Sequence, residues 1–207
     1  MILAALNFCI NRCNSGIDIY WQKVFLLYQL GFEKKILLED GLISGRTFTN
    51  AVWSGLKLRE FDWAEDFISK NQQFIEEKNR TSVVHFNRSR LHFERGEYNQ
   101  AMQLMLGFEY DDLLWNLIAK TMLLKIYYEQ GFYDALESHL EAMRAYLQRK
   151  EILGYHKANY KNILSLTRKL LHLNPFSLPQ KEKIKKLVAE TNPLTEREWL
   201  LRQLQKR

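Results

Sequence analysis

The chain has 207 residues, enough for one good-sized domain that buries roughly 70% of the surface its unfolded form exposes. Apolar residues at 46% and charged residues at 26% fit a soluble globular protein, and nine Gly with three Pro are too few for the turns of an all-β fold. The net charge of +6 is one-sided: residues 1–143 carry 15 Lys and Arg against 19 Asp and Glu, whereas residues 144–207 carry 15 against 5. The basic excess therefore lies entirely at the C-terminal end.

The opening segment, MILAALNFCINRC, is apolar but lacks a basic leader and a small-residue cleavage site, and Asn7 interrupts its hydrophobic run. It does not read as a secretory signal, and no later window approaches the roughly 20 apolar residues of a membrane span. It also begins without a Ser, Thr, Asp or Asn cap, which suggests the end of a longer repeat protein. Cys9 and Cys13 are too few for a structural zinc site and read as buried, reduced thiols of a cytoplasmic protein.

Apolar spacing and breakers place helices over 2–13, 18–38, 46–59, 62–77, 80–95, 98–106, 112–130, 132–150, 154–173, 178–190 and 195–206. The count is ten or eleven, depending on whether the last pair is taken as one. Short connections suit antiparallel helix pairs. Segment 112–130 is apolar over a wide arc, with Leu113, Leu117, Leu124 and Tyr128 on one side and Leu114, Ile118 and Met122 on another, as a helix sandwiched between neighbours requires. The last helix is expected to start at Thr195, where Thr195 and Glu198 have capping-box spacing and Leu194 and Trp199 occupy staple positions.

One device recurs: an aromatic residue followed three positions later by Ala, just after a polar break. The copies are Phe61 and Ala64, Tyr98 and Ala101, and Phe132 and Ala135. A period near 35 residues is the mark of stacked helical hairpins. A small contact residue lets paired helices approach closely while the aromatic fills the gap near the turn, and Gly96 and Gly131 can take the left-handed conformation that ends a helix. At these residues, GEYNQA at 96–101 above all, the chain resembles the tetratricopeptide repeat family over about residues 45–142. The first copy departs from the family with Arg59 in place of Gly, the third places Gly131 one residue late, and the position usual for a small mid-helix residue holds Val52, Ser89 and Leu123 in the three copies. As a whole the chain also resembles the C-terminal region of bacterial helical-repeat proteins.

The resemblance implies an all-α, right-handed solenoid of stacked antiparallel hairpins. Its expected organisation is a single helical-repeat domain over 1–207: flanking helices at 1–44, three hairpins at 45–142 and basic helices at 143–207. It also implies a concave face lined by Arg46, Thr49 and Trp53, then Phe86 and Arg90, then Lys120 and Tyr127. Aromatic and Arg side chains are those that interaction hot spots favour, so Arg46, Trp53, Arg90, Lys120 and Tyr127 are the expected partner-binding residues. Some family members hold a peptide's C-terminal carboxylate with Lys, Asn and Arg. Here the corresponding positions are Thr49, Trp53, Asn87, Leu117 and Thr121, and only Asn87 fits.

Enzyme signatures are missing: no phosphate-cradling Gly loop, no H-E-x-x-H, no C-x-x-C, no G-x-S-x-G. His85 and His92 are too far apart for a helical zinc pair. Carboxylate neighbours Glu65 with Asp66 and Asp111 with Asp112 point in different directions on a helix and suit first-turn positions. The basic end, KEKIKKL at 181–187 together with Arg144, Arg149, Lys150, Lys157, Lys161, Arg168 and Lys169, has the charge to attract phosphates but no interleaved stacking aromatics. The sequence therefore predicts a non-catalytic interaction scaffold without metal or cofactor, binding a protein or peptide. The alternative is a nucleic-acid-associated factor using the basic surface.

Overall fold

What ends each helix organises this chain more than what starts it. The computed structural model describes residues 2–152 and 154–206. Among them eleven α-helices and one 3-10 turn are joined by short connections, and no strand is longer than an isolated bridge. The helices are α1 Ile2–Asn14, α2 Tyr20–Glu33, α3 Gly45–Lys57, α4 Phe61–Asn71, α5 Glu77–Arg95 and α6 Tyr98–Met105. Then come α7 Leu113–Glu129, α8 Tyr133–Arg149, α9 Gly154–Leu171, α10 Leu178–Glu190 and α11 Arg197–Lys206. The chain gathers into two compact units, Met1–Ala119 and Lys120–Arg207; the division falls within α7.

In the first unit α1 packs on α2, α2 on α3, α3 on both α4 and α5, α4 on α5, and α5 on α6. Phe48, Ala51, Val52, Ala64, Ile68 and Val83 form the buried centre. Gly55 is required by close approach, since a Cβ there would lie 2.9 Å from the Trp63 ring.

Among the described residues five helices close through a residue of positive φ: Gly16, Lys35, Arg59, Gly96 and Gly131. In each case the next N–H reaches back five residues, to the carbonyl of Arg12, Gly31, Gly55, His92 or Tyr127, satisfying a carbonyl the helix leaves open. At the last three the chain then turns straight into the next helix through one conformation. Glu60 has φ −79° and ψ 61°, Glu97 −81° and 63°, and Phe132 −80° and 63°. Two of the turn residues, Lys35 and Arg59, accept a left-handed backbone that L side chains disfavour by roughly 1–2 kcal/mol.

This backbone register corrects the third copy of the aromatic–Ala device. Helix α4 begins at Phe61 and α6 at Tyr98, but α8 begins at Tyr133, with Phe132 as its cap. Counting from the turn, the buried position held by Ala64 and Ala101 is held in α8 by Leu136, also fully buried. Ala135 is exposed, because Gly131 lies one residue later relative to the aromatic than Gly96 does.

Two expected helices are shorter than their apolar runs. The run over 18–38 gives α2 only to Glu33, because Lys35 turns the chain and Leu37 folds onto Gly31. Asp40 and Gly41, both at positive φ, then form a two-residue turn that pairs Glu39 with Leu42, the Asp-Gly signature of tight hairpins. The run over 62–77 ends at Asn71 and continues as the 3-10 turn Gln72–Phe74, since Phe74 must offer its carbonyl to the Ile43 N–H at 2.8 Å. Buried Ile43 and Ile75 stabilise that crossing.

In the second unit α9 packs against α8, α10 and α11, with Leu136, Leu140, Leu147, Ile163, Leu170, Val188 and Leu204 buried between them. Helix α11 does not use the expected capping box: Glu196 has φ 58°, so Thr195 stands outside the helix and α11 starts at Arg197. Non-local bonds decide this. The Thr195 N–H donates to Asn159 Oδ1, and Glu196 pairs with Lys125 at 2.8 Å. Arg197 donates to the carbonyls of Val188, Ala189 and Thr191 at the end of α10, where a cation also meets the negative end of the helix dipole. Trp199 anchors the helix on α7: it is 1% exposed and its indole N–H donates to Glu129 Oε1 at 2.7 Å.

The register makes a direct prediction. Ala101→Leu overpacks the α5–α6 contact and costs about 1–3 kcal/mol, whereas Ala135→Leu, at the surface, stays within about 0.5 kcal/mol. Urea unfolding of the two variants checks it, and equal effects would show the register of α8 to be wrong.

Candidate functional site

The expected partner-binding residues divide between the units. In the first, Arg46 is exposed in the opening turn of α3 and Trp53 is half-buried one helix face along. Arg90 departs from expectation: it is 8% exposed, not a surface side chain. Its guanidinium lies 3.7 Å above the Trp53 ring and 5.4 Å from the Phe86 ring. Phe86 in turn stacks on Trp115 with centroids 4.8 Å apart and planes 4° from parallel.

The other side of Trp53 is also built. The exposed Lys57 ammonium lies 4.6 Å from its ring, and Trp21 meets it edge-on at 6.3 Å and 83°. Helical spacing produces the arrangement, because Trp53 with Lys57 and Phe86 with Arg90 are both i,i+4 pairs. The result is a ladder of Lys57, Trp53, Arg90, Phe86 and Trp115. Cations over aromatic faces contribute about 0.5–1 kcal/mol when exposed and about 2 when desolvated, so Arg90 stabilises the unit while Lys57 and the half-exposed Trp21 and Trp53 remain available. Thr49 and Phe86, also expected on the groove wall, are core.

Asn87, the single match to a carboxylate clamp, is fully buried and donates to Thr49 Oγ1 at 3.0 Å and to the Val83 carbonyl at 2.8 Å. It ties α5 to α3. His85 stacks on Phe108 at 3.9 Å and lies 3.4 Å from the Tyr110 hydroxyl. Burial lowers the His85 pKa and raises that of Tyr110. His92 pairs separately with Glu97 at 2.5 Å. The carboxylate neighbours are equally structural: Glu65 pairs with Arg95, Asp66 with Lys70, and Asp112 accepts the N–H groups of Leu114 and Trp115 at the start of α7.

In the second unit, Lys120 and Tyr127 both meet α8. The Lys120 ammonium lies 4.9 Å from the Tyr146 ring, and Tyr127 stands edge-on to His139 at 5.5 Å. His139 Nε2–H donates to the Lys120 carbonyl at 2.7 Å. Burial pushes His139 below the ordinary histidine value of 6.5, and the neighbouring Lys120 charge acts in the same direction, against that hydrogen bond.

The basic residues of this unit are only partly assembled. Arg144, Lys161, Arg168 and Lys169 converge on a cleft of about 410 Å³ between α8 and α9, floored by Leu140, Leu147 and Leu164. Arg149, Lys150 and Lys157 do not line it. On α10 the KEKIKKL run buries Ile184 while Lys185 and Lys186 pair with Glu182 and Glu190 along the same helix, the ordinary arrangement of a solvated face.

Lys57 and Trp21 were not among the expected residues. The i,i+4 spacing of Trp53 and Lys57 was a readable signal for the first; Trp21 lies in a flanking helix outside the three copies, and only packing brings it in. Among the described residues no helix is long and apolar enough to cross a membrane. Neither a family model, nor a curated protein, nor a solved structure matches the chain.

Two predictions follow from these environments. Arg90→Ala removes a desolvated cation from between two rings and costs about 2 kcal/mol, while Arg46→Ala stays within about 0.5 kcal/mol; chemical unfolding distinguishes them. His139 binds its proton less readily folded than unfolded, so its contribution is complete above 6.5 and is lost as pH falls through that value toward the lowered native one. His139→Gln therefore loses less stability than the parent protein between about pH 7.5 and 5.5, measured as the shift in urea midpoint.

Proposed function

We propose that the chain is a non-catalytic interaction module of tetratricopeptide-like type that binds a protein or peptide through the aromatic and cationic surface of its first unit. The observation that carries this reading is the ladder of Lys57, Trp53 and Arg90, with Trp21 at its edge and half-exposed rings beside an exposed ammonium. Aromatic rings held rigid by their neighbours lose little entropy on binding, and rings beside cations are what interaction hot spots favour. Three turns of one backbone conformation, at Glu60, Glu97 and Phe132, support a repeat architecture, with the solenoid and its right hand belonging to the proposal. The two buried free thiols, Cys9 and Cys13, fit a reducing, cytoplasmic setting.

Nucleic-acid association through the basic C-terminal helices is the second reading, supported by the four cations that converge between α8 and α9. Binding of that kind would be non-specific and would fade as salt rises to physiological levels, because counterion release would be its source.

The test uses the immobilised full chain, nuclease-treated lysate at physiological salt and quantitative mass spectrometry. Lys57→Glu changes an exposed side chain, so the fold persists by circular dichroism while recovery of the specific partner falls at least about fivefold, the scale of losing one hot-spot contact. Undiminished recovery of every captured protein from Lys57→Glu and Arg46→Ala would overturn the first-unit site.

A further inference from the structure

The cleft between α8 and α9 has a chemistry that the proposed first-unit surface does not use. Its floor is apolar: Leu140 and Leu147 from α8 and Leu164 from α9, all buried against the core. Its rims are donors. Lys161, Ser165 and Lys169 stand four residues apart along α9, and Arg144 with Gln148 form the facing row on α8, spacings that put each set on one helix face.

The charges are unequally engaged. Arg168 is held by Glu141 and lies 4.0 Å from Glu137, which also takes His172 Nε2 at 3.0 Å. These pairs bind the two helices together at one end of the cleft. Among the described residues Arg144, Lys161 and Lys169 have no carboxylate within ion-pair distance, and all three are exposed. Long basic side chains lay their stems along apolar surface and keep their heads in water, so three cations stand over a leucine floor in a cleft whose volume falls in the range of ligand sites.

From this geometry we infer that the α8–α9 cleft is a second binding site, for a partner's acidic peptide segment that carries an apolar anchor. Charge complementarity selects the occupant. Both rims offer donors and cations to carboxylates, and the floor accepts an aliphatic side chain. A single-stranded nucleic acid meets the same cations, but its bases find no stacking surface, since among the described residues no aromatic side chain lines the cleft. An acidic peptide with a leucine satisfies floor and rims together.

Fluorescence anisotropy on the full chain tests the inference. The probe is a labelled synthetic peptide of about fifteen residues, long enough for partial helix, with leucines at every third or fourth position and glutamates elsewhere. Its counterparts carry Gln for Glu, or are oligo-dT of similar length. The glutamate peptide should bind at physiological salt, and both the Gln peptide and the Lys161→Glu/Lys169→Glu variant should weaken binding by about tenfold or more, the combined effect of turning two attractions into repulsions. Arg144→Ala, on the opposite rim, should weaken it several-fold, and Lys57→Glu should leave it unchanged, which separates this site from the first-unit surface. The changed residues are exposed, and matched melting curves confirm the fold. No binding of the glutamate peptide, equal binding by the double variant, or displacement of the peptide by oligo-dT would each overturn the inference.

Discussion

A helix of this protein ends by bending its last carbonyls onto the N–H groups of a left-handed turn, and everything downstream depends on where that bend falls. At Arg59, Gly96 and Gly131 the turn is followed at once by a cap residue of one conformation, φ near −80° and ψ near 63°, so the exit direction of one helix fixes the entry of the next. The register of α4, α6 and α8 against their preceding helices is thereby set by backbone hydrogen bonds before any side chain is chosen. Side chains then fit the space provided: Ala64 in α4, Ala101 in α6 and Leu136 in α8. The third hairpin accommodates a larger residue at that point, and Ala135, which follows the aromatic in sequence, falls on the outside.

The packing of neighbouring helices also places the candidate surface of the first unit. Because α3 and α5 lie side by side, Trp53 from one meets Arg90 from the other, and Lys57, four residues after Trp53, and Phe86, four before Arg90, extend the contact in both directions. Arg90 illustrates how one guanidinium can be structural and still shape a binding surface. Its planar group fills the space between two rings, which Lys with its compact ammonium would not, and so holds Trp53 half-exposed beside Lys57. Preorganised rings of this kind bind with less entropic cost than mobile ones.

Much of the architecture was legible in the sequence because it rests on short-range signals. Apolar periodicity located the eleven helices of the described residues, and glycines marked two of the three turns that share one cap conformation. What could not be read depended on partners distant in sequence. Lys35 and Arg59 adopt left-handed turns without the glycine that would announce them, and α4 stops early because Ile43 needs the carbonyl of Phe74. The Thr195 capping box is the sharpest case. Its local pattern is complete, yet a cap contributes about 1 kcal/mol, and Arg197 on the end of α10, Glu196 on Lys125 and Asn159 on the Thr195 N–H together outweigh it. Of the candidate site residues, the helical spacing that pairs Trp53 with Lys57 was readable, but not the burial of Thr49, Phe86 and Arg90 or the arrival of Trp21.

The charge asymmetry of the sequence acquires a physical meaning only when sorted by partner. Lys185 and Lys186 are balanced along their own helix, Lys125 by Glu196, Arg168 by Glu141, and Arg197 by backbone carbonyls. Lys125, Arg168 and Arg197 tie helices of the second unit together, and cations already engaged in this way offer little to a ligand. Arg144, Lys161 and Lys169 differ in standing over leucines with, among the described residues, no carboxylate within ion-pair distance. An acidic partner would supply the carboxylates that these three cations lack among the described residues, which is why the cleft, and not the whole basic end, is the place we propose for the positive charge to act.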